Sequence, residues 1–374
     1  MFRYYMPTRI YFGKNNLPRL AEVVSRSAPK HISIFMGHKS ARASGALKQI
    51  SSILSNYDVS VFEGIEPNPA VKSLKAGIAH CRRKNTDLII AIGGGSVIDY
   101  AKAVSVLAKE KDGFSGFFYN KNQQLKSGKI RFIAVSTTFG TSSEITPYSV
   151  MTDPQDQIKI TLTDDSLYPD YAFINPEFTL SMAKPLVAAS CADLLSHAIE
   201  AYWSVNSTEL TDNFAISAIR LFLRNYKQTF KSPKNLRIRE QVSLASIYAG
   251  LAFSNTKTTA CHSISYPMTT VFNIPHGIAS ALTLAEILKF NSKARKSKVM
   301  NLCKLLECRS VEEAADKITS ILNNLNIKTR LRDYGIAKNE LMVIVDKGFT
   351  PKRMINNPRK ITREDLKEIL KEIH

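Results

Sequence analysis

The stretch that decides the fold is Asp87-Leu-Ile-Ile-Ala-Ile-Gly-Gly-Gly-Ser-Val-Ile-Asp99. It is apolar without a break from Leu88 to Ile92, which is typical of a central parallel strand covered on both faces. Three glycines follow at once, and the residues after them favour a helix. A strand, a glycine turn and a helix in this order predict an α/β domain with a parallel sheet.

Three more short β-branched runs occur in the first half of the chain, at His31–Phe35, Val59–Phe62 and Phe132–Ser136. The spacing leaves room for a crossover helix each time, which parallel strands require. After residue 176 the sequence changes to long amphipathic stretches without such runs, which predicts helices. We therefore predict an α/β domain over 1–180, an all-α domain over 181–374, and a ligand site in the cleft between them.

The composition is that of a globular protein, with 44% hydrophobic and 22% charged residues in a chain of 374. The 51 Lys and Arg residues exceed the 32 Asp and Glu residues by 19, and this basic balance favours acidic ligands. The densest basic cluster lies between Lys289 and Lys298 and lacks the interleaved aromatic residues of a nucleic-acid reader. We expect a solvated helix face there and no nucleic-acid partner, although charge alone keeps a nucleic-acid-binding protein as a competing class.

Cysteine usage and hydropathy indicate the compartment. The five cysteines form no Cys-x-x-Cys pair, and their odd number does not suit a disulfide framework, so reduced thiols are expected. No window approaches about 18 consecutive apolar residues, and the first residues lack the pattern of an export signal. These features predict a cytoplasmic protein without a membrane segment.

Two loops that follow predicted strands are rich in glycine or hydroxyl groups. Gly93-Gly-Gly-Ser96 precedes a helix, whose free amide groups and dipole favour a phosphate. Thr137-Thr-Phe-Gly-Thr-Ser-Ser-Glu144 follows another strand at the same edge of the sheet. A tight turn and a polar surface loop are the alternatives for each loop taken alone, but together the two predict a dinucleotide site.

A carboxylate and three imidazoles in the second half form a candidate metal site. Asp193 and His197 are four residues apart on a helical stretch, so both side chains leave the same face. His262 and His276 lie in a segment, 258–285, that contains no Asp, Glu, Lys or Arg. The Asp–His pair alone could be an ordinary helix-surface hydrogen bond, but one oxygen and three nitrogen ligands suit Fe²⁺ or Zn²⁺.

These motifs, in their order, resemble the iron-containing (group III) alcohol dehydrogenase family. The matching text is Pro7–Gly13, Glu66–Pro69, Gly93–Asp99, Thr137–Thr146, Asp193–Tyr202 and Ile274–Gly277. The resemblance implies the dehydroquinate synthase-like fold of that family, with an α/β NAD(P)-binding domain and a helical domain that holds a catalytic divalent ion. It also implies an oxidoreductase acting on small alcohols or aldehydes, and a homodimer. A metal-independent lyase or synthase, such as the dehydroquinate synthase relatives, would not need the four metal ligands.

The resemblance carries specific roles onto this chain. The metal ligands fall on Asp193, His197, His262 and His276. The cofactor contacts fall on Asn68, Gly94, Gly95, Ser96, Asp99, Thr137, Thr138, Thr141 and Lys159.

One departure from the family concerns the cofactor. Many members have an Asp just after the strand predicted at His31–Phe35, where it accepts hydrogen bonds from the adenosine ribose and repels a 2′-phosphate. This chain has no carboxylate there and offers Gly37, Lys39, Ser40 and Arg42 instead. Cationic and hydroxyl donors suit a 2′-phosphate, so NADP(H) is favoured over NAD(H).

A second departure concerns the substrate and its proton. Tyr266 stands where many members have a histidine that is sometimes assigned to a proton relay, which puts the relay in doubt. The segment Asn255–Pro267 is most similar to the branch that reduces phosphonoacetaldehyde to 2-hydroxyethylphosphonate. Lys257 and Arg353 are the candidate contacts of a phosphonate, with Lys352 and Arg359 as alternatives, and another small aliphatic or sugar-derived aldehyde is the alternative substrate.

Overall fold

The computed structural model describes residues 1–110, 116–119, 125 and 128–374, except for the side chain of Lys352. The chain forms two compact units, one of Tyr5–Met182 and one of Met1–Tyr4 with Ala183–His374. The first unit is α/β and the second is helical, as the sequence predicts.

The strands described in the first unit are β1 (Arg9–Phe12), β2 (Ile32–Met36), β3 (Val59–Phe62), β4 (Leu88–Gly93), β5 (Arg131–Ser136), β6 (Tyr148–Asp153), β7 (Ile158–Thr163) and β8 (Tyr171–Ile174). Six of them form a parallel sheet in the order β1-β8-β5-β4-β2-β3. The register places Ile90 of β4 opposite Ile34 on one side and Ile133 on the other. The other two, β6 and β7, form an antiparallel hairpin.

Helices cover both faces of this sheet because alternate residues of β4 point to opposite sides. Ile89 and Ala91 belong to a core that also contains Val104, whereas Ile90 belongs to a second core with Leu20. The helices described in this unit are α1 (Leu17–Ser27), α2 (Ser40–Ala43), α3 (Ala46–Ile53), α4 (Leu74–Lys84), α5 (Gly95–Leu107) and α6 (Gly116–Tyr119). The four predicted strands are thus confirmed to within one residue at each end, and β1, β6, β7 and β8 are additional.

The second unit is built around α7 (Lys184–Trp203), in which every residue from Val187 to Trp203 is buried. Side chains of Thr208 and Asn235 cap the next two helices by accepting backbone N–H bonds, which explains where those helices begin. The helices are α7 (Lys184–Trp203), α8 (Glu209–Lys231), α9 (Leu236–Thr256), α10 (Ala260–Thr270), α11 (His276–Leu282), α12 (Leu284–Asn291), α13 (Lys296–Leu305), α14 (Val311–Asn324), α15 (Leu341–Lys347), α16 (Pro351–Met354) and α17 (Arg363–Glu372). Over the described residues, no helix combines the length and apolar character needed to cross a membrane.

Candidate dinucleotide and metal sites

The glycine turn after β4 and the hydroxyl loop after β5 lie against each other. A β-carbon on Gly94 would be 3.1 Å from the side chain of Thr138, and one on Gly95 would be 3.0 Å from that of Thr141. The backbone N–H of Thr137 also donates to the carbonyl oxygen of Gly93 at 2.9 Å. A side chain at either glycine would therefore crowd its threonine neighbour where the two loops meet, at the N-terminus of α5.

This meeting point has the properties of a phosphate cradle. The hydroxyl oxygens of Thr137 and Thr138 are buried and have no hydrogen-bond partner among the described residues. A buried hydroxyl without a partner costs about 1–3 kcal/mol, which a bound oxyanion would recover. Together with the helix N-terminus that begins at Gly95, these residues fit the pyrophosphate of a dinucleotide.

Of the other predicted cofactor residues, Asn68 contacts the start of α5, and Lys159 lies on the hairpin next to the segment of Asn68. The backbone N–H of Asn68 donates to the hydroxyl of Ser96 at 3.1 Å. Lys159 on β7 pairs with Thr152, whose N–H donates to the carbonyl oxygen of Pro69 at 2.8 Å. The structure thus brings the segment of Asn68 to both the glycine turn and the hairpin that carries Lys159.

Asp99 makes contacts within the α/β unit that the sequence did not predict. Its Oδ2 accepts the N–H of Val150 at 2.9 Å, and its Oδ1 lies 3.6 Å from Nζ of the fully buried Lys102. Lys102 donates to the carbonyl oxygens of Thr146 and Tyr148, both at 2.9 Å. These contacts join α5 to β6 and the loop before it, and contact of Asp99 with a cofactor stays a prediction.

A buried carboxyl, Glu144, lies in the same network and was not predicted. Burial raises the pKa of Glu144 to about 7, against the opposing effect of Lys102. Burial likewise lowers the pKa of Lys102 to about 8, although Asp99 and Glu144 act in the other direction. The only sequence signal was an acidic residue at the end of an otherwise uncharged hydroxyl loop.

The predicted 2′-phosphate pocket is flanked by two carboxylates, Glu63 and Glu66, that the sequence analysis did not assign to it. Arg42 is exposed and pairs with Glu63 at 2.8 Å, and His38 pairs with Glu66 at 2.9 Å. The Arg42–Glu63 contact depresses the pKa of Glu63, which keeps that carboxylate charged. Solvent screens an exposed ion pair of this kind, so a ligand phosphate could compete for the guanidinium.

The remaining residues of that pocket differ in exposure. Lys39 is exposed, Ser40 is half-buried and Gly37 is buried. A β-carbon on Gly37 would be 3.1 Å from the carbonyl oxygen of Ile65, so a side chain there would displace its neighbour by a few tenths of an ångström.

Three of the four predicted metal ligands form a compact cluster in the helical unit. One ligand atom from each of Asp193 on α7, His262 on α10 and His276 on α11 lies within 4.8 Å of the other two. The Oδ1 atom of Asp193 is 3.6 Å from Nε2 of His262. Asp193 and His262 are buried, whereas His276 is half-buried.

The chemistry of this cluster fits a divalent ion. The Nε2 atom of His262 is buried and, in the part of the chain that the structure describes, has no hydrogen-bond partner. Burial raises the pKa of Asp193, but the neighbouring histidines outweigh it and hold that pKa well below its usual range. Burial lowers the pKa of His262, but Glu200 and Asp193 outweigh it and raise that pKa to about 9. An anionic oxygen thus faces an imidazole that can exchange a proton for a metal.

His197 lies beside the cluster. Its Nδ1 is 3.8 Å from Oδ1 of Asp193, and its ring stacks on His262 with centroids 4.4 Å apart. Its other face stacks on Phe253 at 4.1 Å. The role of His197 as a fourth ligand stays a prediction.

A glycine that the sequence analysis did not single out allows the cluster to form. A β-carbon on Gly277 would lie 2.1 Å from the carbonyl oxygen of Ala189 and 2.7 Å from Cβ of Asp193. The first turn of α11 therefore packs directly on the backbone of α7, which brings His276 next to Asp193. Its position immediately after a candidate ligand was the available signal.

Tyr266 and Arg353 lie next to this cluster. Tyr266 is buried on α10, and its ring centroid is 6.2 Å from that of His276. The guanidinium carbon of Arg353 lies 4.6 Å from the centroid of the Tyr266 ring, and Nε of Arg353 donates to the hydroxyl of Thr258 at 3.2 Å. A fixed cation therefore stands one side chain away from a candidate metal ligand.

The other basic candidates are placed differently. The guanidinium carbon of Arg359 lies 3.7 Å from the ring centroid of Phe290, and Arg359 also donates to the carbonyl oxygen of that residue. Lys257 is exposed and stands between α9 and α10. The side chain of Lys352 lies outside those described.

Comparison with known proteins shows the family to which the chain is similar. Residues 7–176 match the sequence model of iron-containing alcohol dehydrogenase, and residues 187–374 match that of the C-terminal part of the Fe-containing alcohol dehydrogenase family. An NADPH-dependent butanol dehydrogenase from Clostridium saccharobutylicum is 32% identical, over 99% of this chain and 97% of the relative. A 1,3-propanediol dehydrogenase from Citrobacter freundii is 29% identical, over 100% and 98%.

Solved structures agree in fold. The crystal structure of 1,3-propanediol oxidoreductase superposes with a TM-score of 0.93 at 28% identity and covers 100% of both chains. The sulfoacetaldehyde reductase from Bifidobacterium kashiwanohense, solved in complex with NAD⁺, has a TM-score of 0.92 at 29% identity, over 100% of this chain and 98% of the other. The protein is thus an oxidoreductase of the alcohol dehydrogenase class. It belongs to the iron-containing alcohol dehydrogenase family.

Proposed function

We propose that the protein is a metal-dependent, NAD(P)H-linked aldehyde reductase whose metal is held by Asp193, His197, His262 and His276. The observation that carries this proposal is the unpartnered Nε2 of His262, which faces Asp193 beside His276. A buried nitrogen of this kind is what a structural histidine avoids and a metal-binding histidine needs.

The chain's own residues supply binding and orientation. When bound, a divalent ion would polarise a carbonyl as a Lewis acid, so that a nicotinamide could pass hydride to its carbon. Asp193 contributes the anionic oxygen, and the imidazoles contribute neutral nitrogens. We assign the Tyr266 hydroxyl to the substrate side of His276, where it could donate a hydrogen bond to the substrate oxygen.

For the substrate, we propose phosphonoacetaldehyde, which would be reduced to 2-hydroxyethylphosphonate. The position of Arg353 supports an anionic end close to the carbonyl, because its guanidinium lies over Tyr266 next to the metal cluster. The similar sulfoacetaldehyde reductase is named for another short aldehyde with an anionic group. Similarity to butanol and 1,3-propanediol dehydrogenases favours the alternative, a small neutral aldehyde.

A pair of arginines tests the substrate. Arg353 and Arg359 both stack on an aromatic ring, but only Arg353 does so beside the metal cluster. A charge-assisted contact is worth about 1.5–3 kcal/mol, so Arg353→Ala should lower kcat/KM for phosphonoacetaldehyde about 10- to 100-fold. Arg359→Ala is the matched control and should change it little, as should either variant on propionaldehyde. A wild-type enzyme that prefers propionaldehyde would reject the phosphonate substrate.

For the cofactor, we propose a preference for NADPH. The absence of a carboxylate at Gly37 supports it, as does similarity to an NADPH-dependent relative, whereas the Glu63 partner of Arg42 weakens it. Arg42→Ala should raise the Kd of NADPH about tenfold and leave that of NADH unchanged. Arg19→Ala removes a comparable exposed pair, with Glu22 at 2.8 Å, and is the control. Tighter binding of NADH than NADPH by the wild type would contradict this preference.

A further inference from the structure

A fully buried carboxylate lies behind the candidate metal ligand His262. Glu200 is on α7, seven residues after Asp193 and therefore on the same helix face. Its Oε1 accepts the backbone N–H groups of Thr259 at 3.0 Å and Cys261 at 2.9 Å, and also the Thr259 hydroxyl. Its Oε2 contacts Nδ1 of His262. The relative exposure of Glu200 is 0%.

The hydrogen-bond partners of Glu200 determine which ring nitrogen of His262 carries a proton. Two backbone N–H groups can only donate, so Oε1 must be an acceptor. A carboxylate has no hydrogen to give, so the contact at Oε2 requires Nδ1 of His262 to carry a proton. The lone pair of the neutral ring is then on Nε2, which is the nitrogen that faces Asp193.

We propose that Glu200 is the positioning residue that sets the tautomer and the orientation of His262, and thereby the affinity of the site for its metal. This inference rests on the proposed metal site. Carboxylates behind a metal-binding histidine typically change metal affinity about 10- to 100-fold.

The same carboxylate also fixes the backbone that leads into α10. Lys257, just before this segment, has φ 62° and ψ 168°, a conformation that a residue with a β-carbon adopts only at a cost. The indole N–H of Trp203 adds a bond to the hydroxyl of Thr259 at 2.9 Å. A purely structural role for Glu200 is therefore the competing explanation, and the experiment must separate the two.

Replacement of Glu200 by glutamine separates these two roles, because only the oxygen of the amide accepts hydrogen bonds and its NH₂ group donates them. If its oxygen faces the N–H groups of Thr259 and Cys261, its NH₂ faces His262 and requires a lone pair on Nδ1. In the reverse orientation, the NH₂ group of the glutamine faces the two backbone N–H groups, which are donors as well. In the first orientation, which keeps more bonds, the proton of His262 moves to Nε2 and blocks the metal.

The experiment compares Glu200→Gln with Thr259→Ala in the full chain. The control removes the hydroxyl that bonds the same carboxylate and the Trp203 indole, but it leaves the contact between Glu200 and His262 intact. The Zn²⁺ affinity is measured by chelator competition, and the Nδ1 proton of His262 is observed by ¹⁵N NMR of the Zn²⁺-loaded protein. We expect a Kd about 10- to 100-fold higher and no Nδ1 proton signal in Glu200→Gln, with a change below about threefold in Thr259→Ala.

Different results would overturn the inference about Glu200 or the proposed metal site. Unchanged Zn²⁺ affinity and an unchanged Nδ1 proton in Glu200→Gln would overturn the proposal, as would equal losses of affinity in both variants. If Glu200→Gln does not fold, the wild type still decides, because a Zn²⁺-loaded wild type in which His262 carries its proton on Nε2 and none on Nδ1 contradicts the proposed tautomer. A wild type that binds no divalent ion would instead reject the proposed function.

Discussion

Backbone strain at Lys257 leads to a prediction about stability. At φ 62° and ψ 168°, this exposed lysine occupies a region that is almost confined to glycine, at a cost of about 1–3 kcal/mol. Lys257→Gly removes that cost but adds about 0.5–1 kcal/mol of chain entropy in the unfolded state. The net expectation is a free energy of unfolding higher by about 0.5–2 kcal/mol. Lys257→Ala keeps the β-carbon and the strain, so it should stay within about 0.5 kcal/mol of the wild type.

Thermal unfolding of the two variants measures this difference. For a unit of this size, about 1 kcal/mol corresponds to a shift in Tm of about 2–4 °C. Both variants lose the charge of Lys257. An equal fall in activity in both therefore reports the loss of the lysine side chain, whereas a difference in Tm between them reports the backbone strain. A Tm of Lys257→Gly at or below that of Lys257→Ala would refute the strain argument.

Two further predictions concern the two sites. Gly277→Ala should lower Zn²⁺ content well below one per chain, because its β-carbon would overlap the carbonyl oxygen of Ala189 and push His276 away from Asp193; full metal content would contradict this packing. Glu144→Gln should gain stability relative to the wild type as pH rises from 5 to 8. A folded-state pKa raised to about 7 means that the wild type is most stable below the ordinary pKa and loses stability as pH rises through 7. Urea unfolding at both pH values measures this, and a difference that does not vary with pH would rule it out.

The sequence predicts four of the six strands of the parallel sheet but misses β1 at one edge and β8 beside it. Strands β2, β3, β4 and β5 are all short runs that contain β-branched residues. Strands β2, β4 and β5 are almost entirely buried, whereas β3 is a partly exposed edge strand. Strand β1 is a four-residue edge strand with exposed ends, which carries little hydrophobic signal. The hairpin strand β7, Ile158-Lys-Ile-Thr-Leu-Thr163, does alternate, and that alternation could have identified it.

Some residues of the candidate sites could likewise be predicted from the sequence, and others could not. Ligand-type residues such as Asp193 and His262 could be predicted because few side chains bind metals. The roles of Glu200 and Gly277 depend on which backbone approaches them after folding, and the sequence offered only the position of Gly277 directly after a candidate ligand. The pairing of Arg42 with Glu63 also depends on tertiary structure, since the two lie on different elements, 21 residues apart.

The continuous burial of α7 has a consequence for amide hydrogen exchange. Seventeen consecutive residues, Val187 to Trp203, are shielded from solvent, so their amides should exchange mainly when the helical unit opens as a whole. A metal that binds only the closed unit lowers the open population by the factor 1 + [metal]/Kd. Protection along this one helix, followed by mass spectrometry during a Zn²⁺ titration, would therefore report the metal affinity without any substrate or turnover.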